Sequence, residues 1–97
     1  MNAFTKSQIL ELQSLLLNYL DSYTFVARDE YDSLIFQQKK NPKSYIHIGI
    51  YHRSNSYMVF LDTSMSSTGL YRCFQSFTNV KAFLDLRLSN ILHNCNF

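Results

Sequence analysis

The sequence predicts an α+β fold, a two-layer sandwich in which an antiparallel meander of four to five strands is flanked by an N-terminal and a C-terminal helix. Apolar residues recur at helical spacing at both ends of the chain, whereas the middle alternates in the pattern of strands. The connections are short, and sequential strands with short connections usually pair with their neighbours. Both helices need an apolar surface to cover, so we expect them on one face of the sheet.

Length and composition favour one folded domain over residues 1–97. Apolar residues make up 46% of the chain and charged residues 16%, the latter low against a typical value of about 25%. Such a chain has enough apolar surface to offset its conformational entropy, so disorder is not expected. Aromatic residues are plentiful, at 15%, and consist of tyrosine and phenylalanine only.

The first helix begins at a capping-box pattern, in which Thr5 is followed three residues later by Gln8. Three further leucines, Leu10, Leu15 and Leu17, widen the apolar stripe and suggest a helix that packs on more than one side. The stripe itself consists of residues at helical spacing that we expect in the core: Ile9, Leu12, Leu16, Tyr19 and Leu20.

Aromatic and β-branched residues mark the strands that follow. Residues 22–28 and 30–38 are predicted as a hairpin with a polar corner at Arg28-Asp29-Glu30. The segment "KKNPKS" is predicted as a basic loop, because its proline would stop a strand. The remaining predicted elements are a third strand over 44–52, a turn at 53–56, a fourth strand over 57–62, a short fifth strand over 69–75, and a helix capped by Thr78.

The third strand, "SYIHIGIYH", carries the clearest alternation in the chain. Its isoleucines occupy every second position, so they are expected to face the helices. Tyr45, His47 and Tyr51 then lie on the opposite, uncovered face, with Tyr31 and Tyr57 expected near them. Tyrosine offers a large rigid contact surface that recurs at binding sites. The alternative role is cross-strand aromatic pairing that stabilises the sheet.

Charge is unevenly distributed although the net formal charge is only +2. Between Ser33 and Leu61 the charged residues are all basic, and an acidic cluster with one arginine precedes them. These groups are either solvated turns or a surface that suits a partner of mixed charge. The basic residues are Lys39, Lys40, Lys43 and Arg53, and the acidic ones are Asp21, Asp29, Glu30 and Asp32.

The sequence contains no pattern typical of catalysis, a cofactor or a metal site. The two glycines form neither a nucleophile elbow nor a phosphate loop, and His47 and His52 are expected on opposite faces of one strand. Cys73 and Cys95 have no zinc-site spacing. We therefore expect a non-enzyme without cofactor or metal. The N-terminal segment does not resemble a signal peptide, and the leucine-rich segment is interrupted by polar residues, which predicts a cytoplasmic protein without a membrane span.

The function class favoured by these features is a non-catalytic domain that occludes a partner protein, as a monomer or a homodimer. Inhibitors that phages and mobile elements direct against host defence enzymes (anti-CRISPR-like proteins) and immunity-type proteins work in this way. The partner could itself be a nucleic-acid-handling enzyme. The residues expected to contact it are Tyr45, His47, Tyr51, Arg53, Tyr57, Lys39, Lys40 and Lys43.

The alternative function is weak binding of single- or double-stranded nucleic acid. Aromatic residues on a sheet can stack on bases while nearby lysines contact phosphates. The helix–strands–helix order is similar to that of the double-stranded-RNA-binding domain. That resemblance implies a lysine-rich start to the last helix, where "TNVKAF" offers Lys81 alone. Four basic residues would neutralise few phosphates, so such binding should be weak and salt-dependent.

Overall fold

The computed structural model describes residues 4–20, 24–28, 32–41, 44–64 and 69–94. It has the predicted α+β architecture, with two helices and a five-stranded antiparallel meander. The sheet order is the chain order, β1-β2-β3-β4-β5, so β3 is central and β1 and β5 are the edges. The elements are α1 (Lys6–Leu16), β1 (Thr24–Arg28), β2 (Ser33–Asn41), β3 (Ser44–Arg53), β4 (Ser56–Thr63), β5 (Leu70–Phe74) and α2 (Phe77–Asn94).

One apolar core lies between the helices and one face of the sheet. On β3, Ile48 pairs with Phe36 of β2 and with Leu61 of β4, so the same face continues across three strands. The residues that are fully or almost fully buried there come from both helices and from the central strands, namely Leu12, Leu16, Leu34, Phe36, Ile46, Ile48, Ile50, Val59, Leu61, Val80, Leu84 and Leu88.

The hairpin between β3 and β4 is tighter than any other connection that the structure describes. Arg53 pairs with Ser56, and the two residues between them have positive backbone angles, with φ of 49° at Ser54 and 64° at Asn55. Two consecutive positive φ values are typical of a type I′ turn, whose twist matches that of the flanking strands. The predicted turn at 53–56 is therefore confirmed, and it determines the register between β3 and β4.

Strand β2 is longer at its C-terminal end than the sequence predicts. It continues to Asn41, so Lys39 and Lys40 belong to the strand, and the prediction of a basic loop beginning at Lys39 is wrong. The ladder shifts register between Lys39 and Asn41, which lets the strand continue past an irregularity. Lys43 and the predicted open-face residue Tyr31 lie outside the described residues.

The start of α1 follows the sequence, but the start of α2 does not. Thr5 and Gln8 form the predicted capping box, with the Gln8 backbone N–H donating to Thr5 Oγ1 at 3.1 Å. At α2, however, the backbone N–H of Asn79 donates to Ser76 Oγ at 3.2 Å, and the helix begins at Phe77. The prediction that Thr78 caps this helix is wrong, because Ser76 already satisfies the first free N–H groups.

Polar contacts join the two helices to each other. Lys81 Nζ lies 3.1 Å from Glu11 Oε1, and the hydroxyl of Tyr19 donates to the carboxylate of Asp85. This hydrogen bond, with smaller contributions from burial and the charge of Asp85, raises the pKa of Tyr19 above its usual value of 10. Side chains of α1 and of the turn that follows it therefore contact α2 at two levels.

Two of the three leucines that the sequence assigns to a wider apolar stripe are exposed among the described residues. Leu10 on α1 is 60% exposed and Leu17 at its C-cap is 62% exposed, and on α2 Leu86 is 61% exposed. Leu15, in contrast, packs against the core. Within the described residues, the expectation that α1 packs on more than one side is therefore wrong for Leu10 and Leu17.

Replacing the observed cap tests the start of α2. We expect Ser76→Ala to lower the free energy of unfolding by about 1 kcal/mol, because the Asn79 N–H loses its acceptor. Thr78→Ala is the matched control and should change it by less than about 0.5 kcal/mol, as expected for an exposed position. Urea denaturation measures both values. A larger loss for Thr78→Ala than for Ser76→Ala would contradict the assignment.

Candidate functional site

The candidate site is the sheet face opposite the isoleucines, called here the open face because no described helix covers it. Along β3 the side chains alternate between the two faces. Ile46, Ile48 and Ile50 are fully buried under the helices, and Tyr45, His47 and Tyr51 are partly exposed on the other side. Their predicted placement is confirmed, and His52 lies on the covered face, opposite to His47, as predicted.

Neighbouring strands extend the open face with residues that sequence reasoning did not select. Opposite Tyr51 lies Met58 of β4, and beside Gly49 lies Phe60, which in turn pairs with Tyr71 of the edge strand β5. Met58 and Phe60 are partly buried, and Tyr71 is 49% exposed. A signal for them existed in Asp62, two residues after Phe60, because a row that ends in a carboxylate is unsuited to the core.

Gly49, the gap in the outward row of β3, is occupied by the ring of Tyr51. A Cβ atom at Gly49 would lie 3.0 Å from the hydroxyl oxygen of Tyr51 and 3.2 Å from its Cε2. The ring therefore lies back along its own strand, over the glycine, in a close approach that leaves little room for a side chain there. This packing orders a large aromatic surface before any partner arrives.

A shallow groove of about 390 Å³ lies on the part of the open face nearest the β3–β4 hairpin and reaches the edge strand β5. The Tyr71 hydroxyl contacts the Met58 sulfur at 2.7 Å, and the rings of His47 and Phe60 meet edge to face at 6.4 Å. Aromatic rings and a thioether thus form this surface, with the hydroxyls of Tyr51 and Tyr71 lying over Gly49 and Met58. The groove is lined by Tyr51, Arg53, Met58, Phe60 and Tyr71.

Charged groups lie at opposite ends of the open face. Arg53 Nη2 lies 3.9 Å from Asp32 Oδ2, with the arginine side chain 51% exposed and the aspartate 28% exposed. At the other end, Asp62 pairs in register with His47. The ion pair between Arg53 and Asp32 is exposed enough to be screened by solvent, so it adds little to stability. It nevertheless keeps the Arg53 guanidinium beside the groove.

Backbone contacts at the end near Tyr45 hold the strand in place. The Tyr45 backbone N–H donates to Ser64 Oγ at 3.0 Å, and the Ser64 N–H donates to the Tyr45 carbonyl at 3.1 Å. These bonds continue the pairing of β3 and β4 beyond the regular ladder. The position of Tyr45 is therefore determined by the sheet itself.

Tyr57 does not belong to the open face, so its expected placement is wrong. It pairs with His52 across the hairpin, is only 8% exposed, and stacks on the His52 ring with centroids 4.2 Å apart. Phe4 and Phe77 lie 5.9 Å away on the same side. This aromatic cluster connects the starts of both helices to the β3–β4 hairpin, so Tyr57 contributes to stability rather than to a binding surface.

The predicted lysines are only partly placed by the structure. Lys39 pairs with Tyr45 in the β2–β3 register, which puts its backbone beside the open-face end of β3. Lys40 follows in the same strand, and Lys43 lies outside the described residues. Of the predicted binding residues, the structure brings together Tyr45, His47, Tyr51 and Arg53, and places Lys39 next to them along the backbone.

Within the ranges described, no three or more histidine, cysteine, aspartate or glutamate side chains converge in a way that could hold a metal ion. Cys73 on β5 is exposed and has a free thiol. In the same part of the chain, neither helix combines the length and the apolar character that crossing a membrane requires.

Comparisons with known proteins give no relative for this chain: no protein-family model, no curated protein and no solved structure matches it.

The contact between Tyr51 and Gly49 can be tested with a double-mutant cycle. In a Tyr51→Ala background, Gly49→Ala should raise the free energy of unfolding by about 0.5–1 kcal/mol, because alanine loses less backbone entropy on folding. With Tyr51 present, the added methyl meets the ring, and the gain should be smaller or reversed. Urea denaturation of the four proteins measures the coupling. An equal gain in both backgrounds would contradict the ring position.

Proposed function

We propose that this protein is a non-catalytic binding domain that occludes a site on a partner protein through its open face. The observation that carries the proposal is the continuous surface of aromatic and thioether side chains, Tyr51, Met58, Phe60 and Tyr71, on an uncovered sheet face, with Arg53 at its edge. Tyrosine, methionine and arginine are enriched in protein interfaces, whereas lysine and glutamate are depleted.

The surface is already ordered in the free protein, and this rigidity supports the proposal. It stands on the central strand, which is hydrogen-bonded on both sides, and the Tyr51 ring is packed against Gly49. A partner that docks there need not immobilise a flexible loop, and this removes an entropic cost that weakens many interfaces. A preorganised flat face is suited to covering a site.

Electrostatics favour a protein over nucleic acid as the ligand. The one arginine beside the groove already has a carboxylate neighbour in Asp32, and a second acid, Asp62, lies on the same face. Nucleic-acid affinity depends on neutralising several phosphates with unpaired basic groups. A face with mixed charge at its ends and apolar groups at its centre is better matched to a protein surface.

Within this class, we favour an inhibitor from a phage or mobile element that blocks a host defence enzyme, in the manner of anti-CRISPR proteins. An immunity-type protein that covers the active site of a toxin uses the same mechanism. Both need only a small, stable domain with one preformed contact face. The enzyme covered could be one that handles nucleic acid.

Removing two tyrosines tests the open face directly. We expect Tyr45→Ala with Tyr51→Ala to weaken the complex by about 2 kcal/mol or more, roughly 30-fold, because buried tyrosines are frequent hot spots. The melting temperature should change little by comparison. Titration calorimetry with the captured partner measures affinity, and circular dichroism measures stability. Loss of stability with unchanged affinity would assign these tyrosines to sheet stabilisation instead.

Tyr57→Ala is the contrasting variant, because this tyrosine is buried against His52. It should lower stability by about 3–5 kcal/mol, the usual cost of removing a buried aromatic side chain. Any loss of affinity for the partner should result only from unfolding of the variant.

The partner itself can be captured with tagged protein from a lysate of the source cell, with and without nuclease. A single stoichiometric protein that survives nuclease and is lost with the double tyrosine variant supports occlusion. If all bound material disappears with nuclease, the alternative, a nucleic-acid ligand, replaces the proposal.

Charge reversal distinguishes the same two functions by another route. Under the proposal, in which these lysines contact the partner beside the open face, Lys39→Glu, Lys40→Glu and Lys43→Glu together should weaken partner binding less than the double tyrosine variant does, because the aromatic surface remains. If the ligand were nucleic acid, the triple variant would weaken binding to all sequences alike and flatten its dependence on salt. Fluorescence anisotropy at several salt concentrations, with labelled single- and double-stranded oligonucleotides, measures this.

A further inference from the structure

The outward side of helix α1 has a repeating pattern of large and small residues. Ser7, Leu10, Ser14 and Leu17 follow one another at spacings of three, four and three residues, and all four are exposed. The opposite side of the same helix carries Leu12 and Leu16, which are fully buried in the core. This outward row therefore has the spacing of a helix–helix seam, but nothing in the described chain packs against it.

Helix α2 continues the same kind of surface. Ala82, Leu86 and Ser89 point away from the core, opposite the buried residues Val80, Leu84 and Leu88, and carry no charge. The outward side of a solvated helix normally carries charged residues, whereas the centre of a protein interface is depleted of them. We call this surface the outer helix surface; its members are Ser7, Leu10, Ser14, Leu17, Ala82, Leu86 and Ser89.

The row on α1 is complementary to itself when two helices run antiparallel. With a twofold axis at the level of Leu12, residues equally far before and after it face each other across the two copies. Leu10 then faces Ser14 of the second copy, and Leu17 faces Ser7. Each large side chain meets a small one, which lets two helices approach closely without overpacking.

Charges beside the row are neutralised within each copy. Glu11 and Lys81 form an ion pair at 3.1 Å on the flank of a groove of about 760 Å³, to which Ser7, Leu10 and Ser14 also contribute. A twofold axis at the level of Leu12 places the two ion pairs on the same flank of the contact. Each copy contributes one positive and one negative group, so no net charge opposes the contact.

From these observations we propose that two copies of this chain associate through their outer helix surfaces, with the α1 helices antiparallel about a twofold axis. This inference does not depend on the proposed function. It leaves the open face of each copy free on the far side of its sheet, so a dimer presents two open faces directed away from each other. Two linked faces can bind a multivalent target more tightly than one.

The area of the outer helix surface determines how tightly the two copies are expected to associate. The 18-residue helix α2 is roughly 27 Å long, the 11-residue helix α1 is roughly 16 Å long and each is roughly 10 Å wide, which makes roughly 400 Å² of contact per copy. A standard stable interface buries about 800 Å² per partner. The dimer is therefore reversible and dissociates on dilution, with an expected dissociation constant of about 1–100 μM.

Sedimentation velocity of the purified full chain, from about 1 μM to about 1 mM, tests the association across that expected range. The wild type should shift from monomer to dimer. Leu17→Lys should raise the dissociation constant of the dimer at least tenfold, since each copy then places one positive charge in the contact. Because Leu17 is exposed, the variant should stay folded, which circular dichroism checks. A wild type that is monomeric throughout, or a dimer unchanged by Leu17→Lys, overturns the proposal.

Three further variants distinguish association in the antiparallel register from non-specific hydrophobic association. Leu10→Ser leaves a gap opposite Ser14, and Ser14→Leu puts two leucines face to face, so each alone should weaken the dimer at least tenfold. The double variant exchanges the large and small residues and should recover to within about threefold of the wild type. If Ser14→Leu strengthens association, the contact depends on hydrophobicity alone and the proposed register is wrong.

Tyr71→Ala on the open face is the matched control, because it removes an exposed apolar group from the other side of the sheet. It should leave the dissociation constant unchanged. If it dissociates the dimer, the copies join through their open faces and the proposal is overturned. If the wild type stays monomeric but lipid vesicles or another protein protect the outer helix surface, that surface has another occupant and the proposal is likewise overturned.

Discussion

Burial of the three isoleucines of β3 is the constraint on which the rest of the structure depends. The strand is central and paired on both sides, so its face assignment is transmitted through the ladders to β2 and β4. A shift of one residue would turn every apolar side chain of β3 to the other face and expose the core. Because Ile46, Ile48 and Ile50 must lie under the helices, Tyr45, His47 and Tyr51 must lie on the open face.

The open face combines stabilisation with a surface for binding. Tyr51 packs over Gly49, His47 meets Phe60, and Tyr71 contacts Met58, so the cross-strand aromatic contacts that stabilise a sheet are present. The same contacts hold large apolar groups in one arrangement while they remain partly exposed. The two roles expected from the sequence are therefore compatible, and the proposed function needs both, since a face that is already ordered loses little entropy on binding.

The helical layer has a different character from the sheet. Its inner side is a continuous apolar core, and its flanks are joined by the Glu11–Lys81 ion pair and the hydrogen bond between Tyr19 and Asp85. Its outer side carries three exposed leucines, with Glu11 and Asp85 exposed beside them. Under the proposed association, a second copy covers these leucines. The two proposed contact surfaces thus lie on opposite sides of the molecule.

The sequence alone determined the order of helices and strands, the capping box at Thr5, the turn at 53–56 and the outward row of β3, because each rests on contacts between residues close in the chain. Tertiary structure decided which row of β4 faces the core. Tyr57, Val59 and Leu61 alternate with Met58 and Phe60, and both rows are apolar, so only Asp62 at the end of the second row distinguishes them in the sequence. Pairing with β3 decides the choice, and it buries Tyr57 while leaving Met58 and Phe60 partly exposed. Pairing with β3 also extended β2 through the predicted loop, since strand pairing overrides local preference. The cap of α2 at Ser76 is a local contact, and the sequence offers both Ser76 and Thr78 as residues of the preferred type.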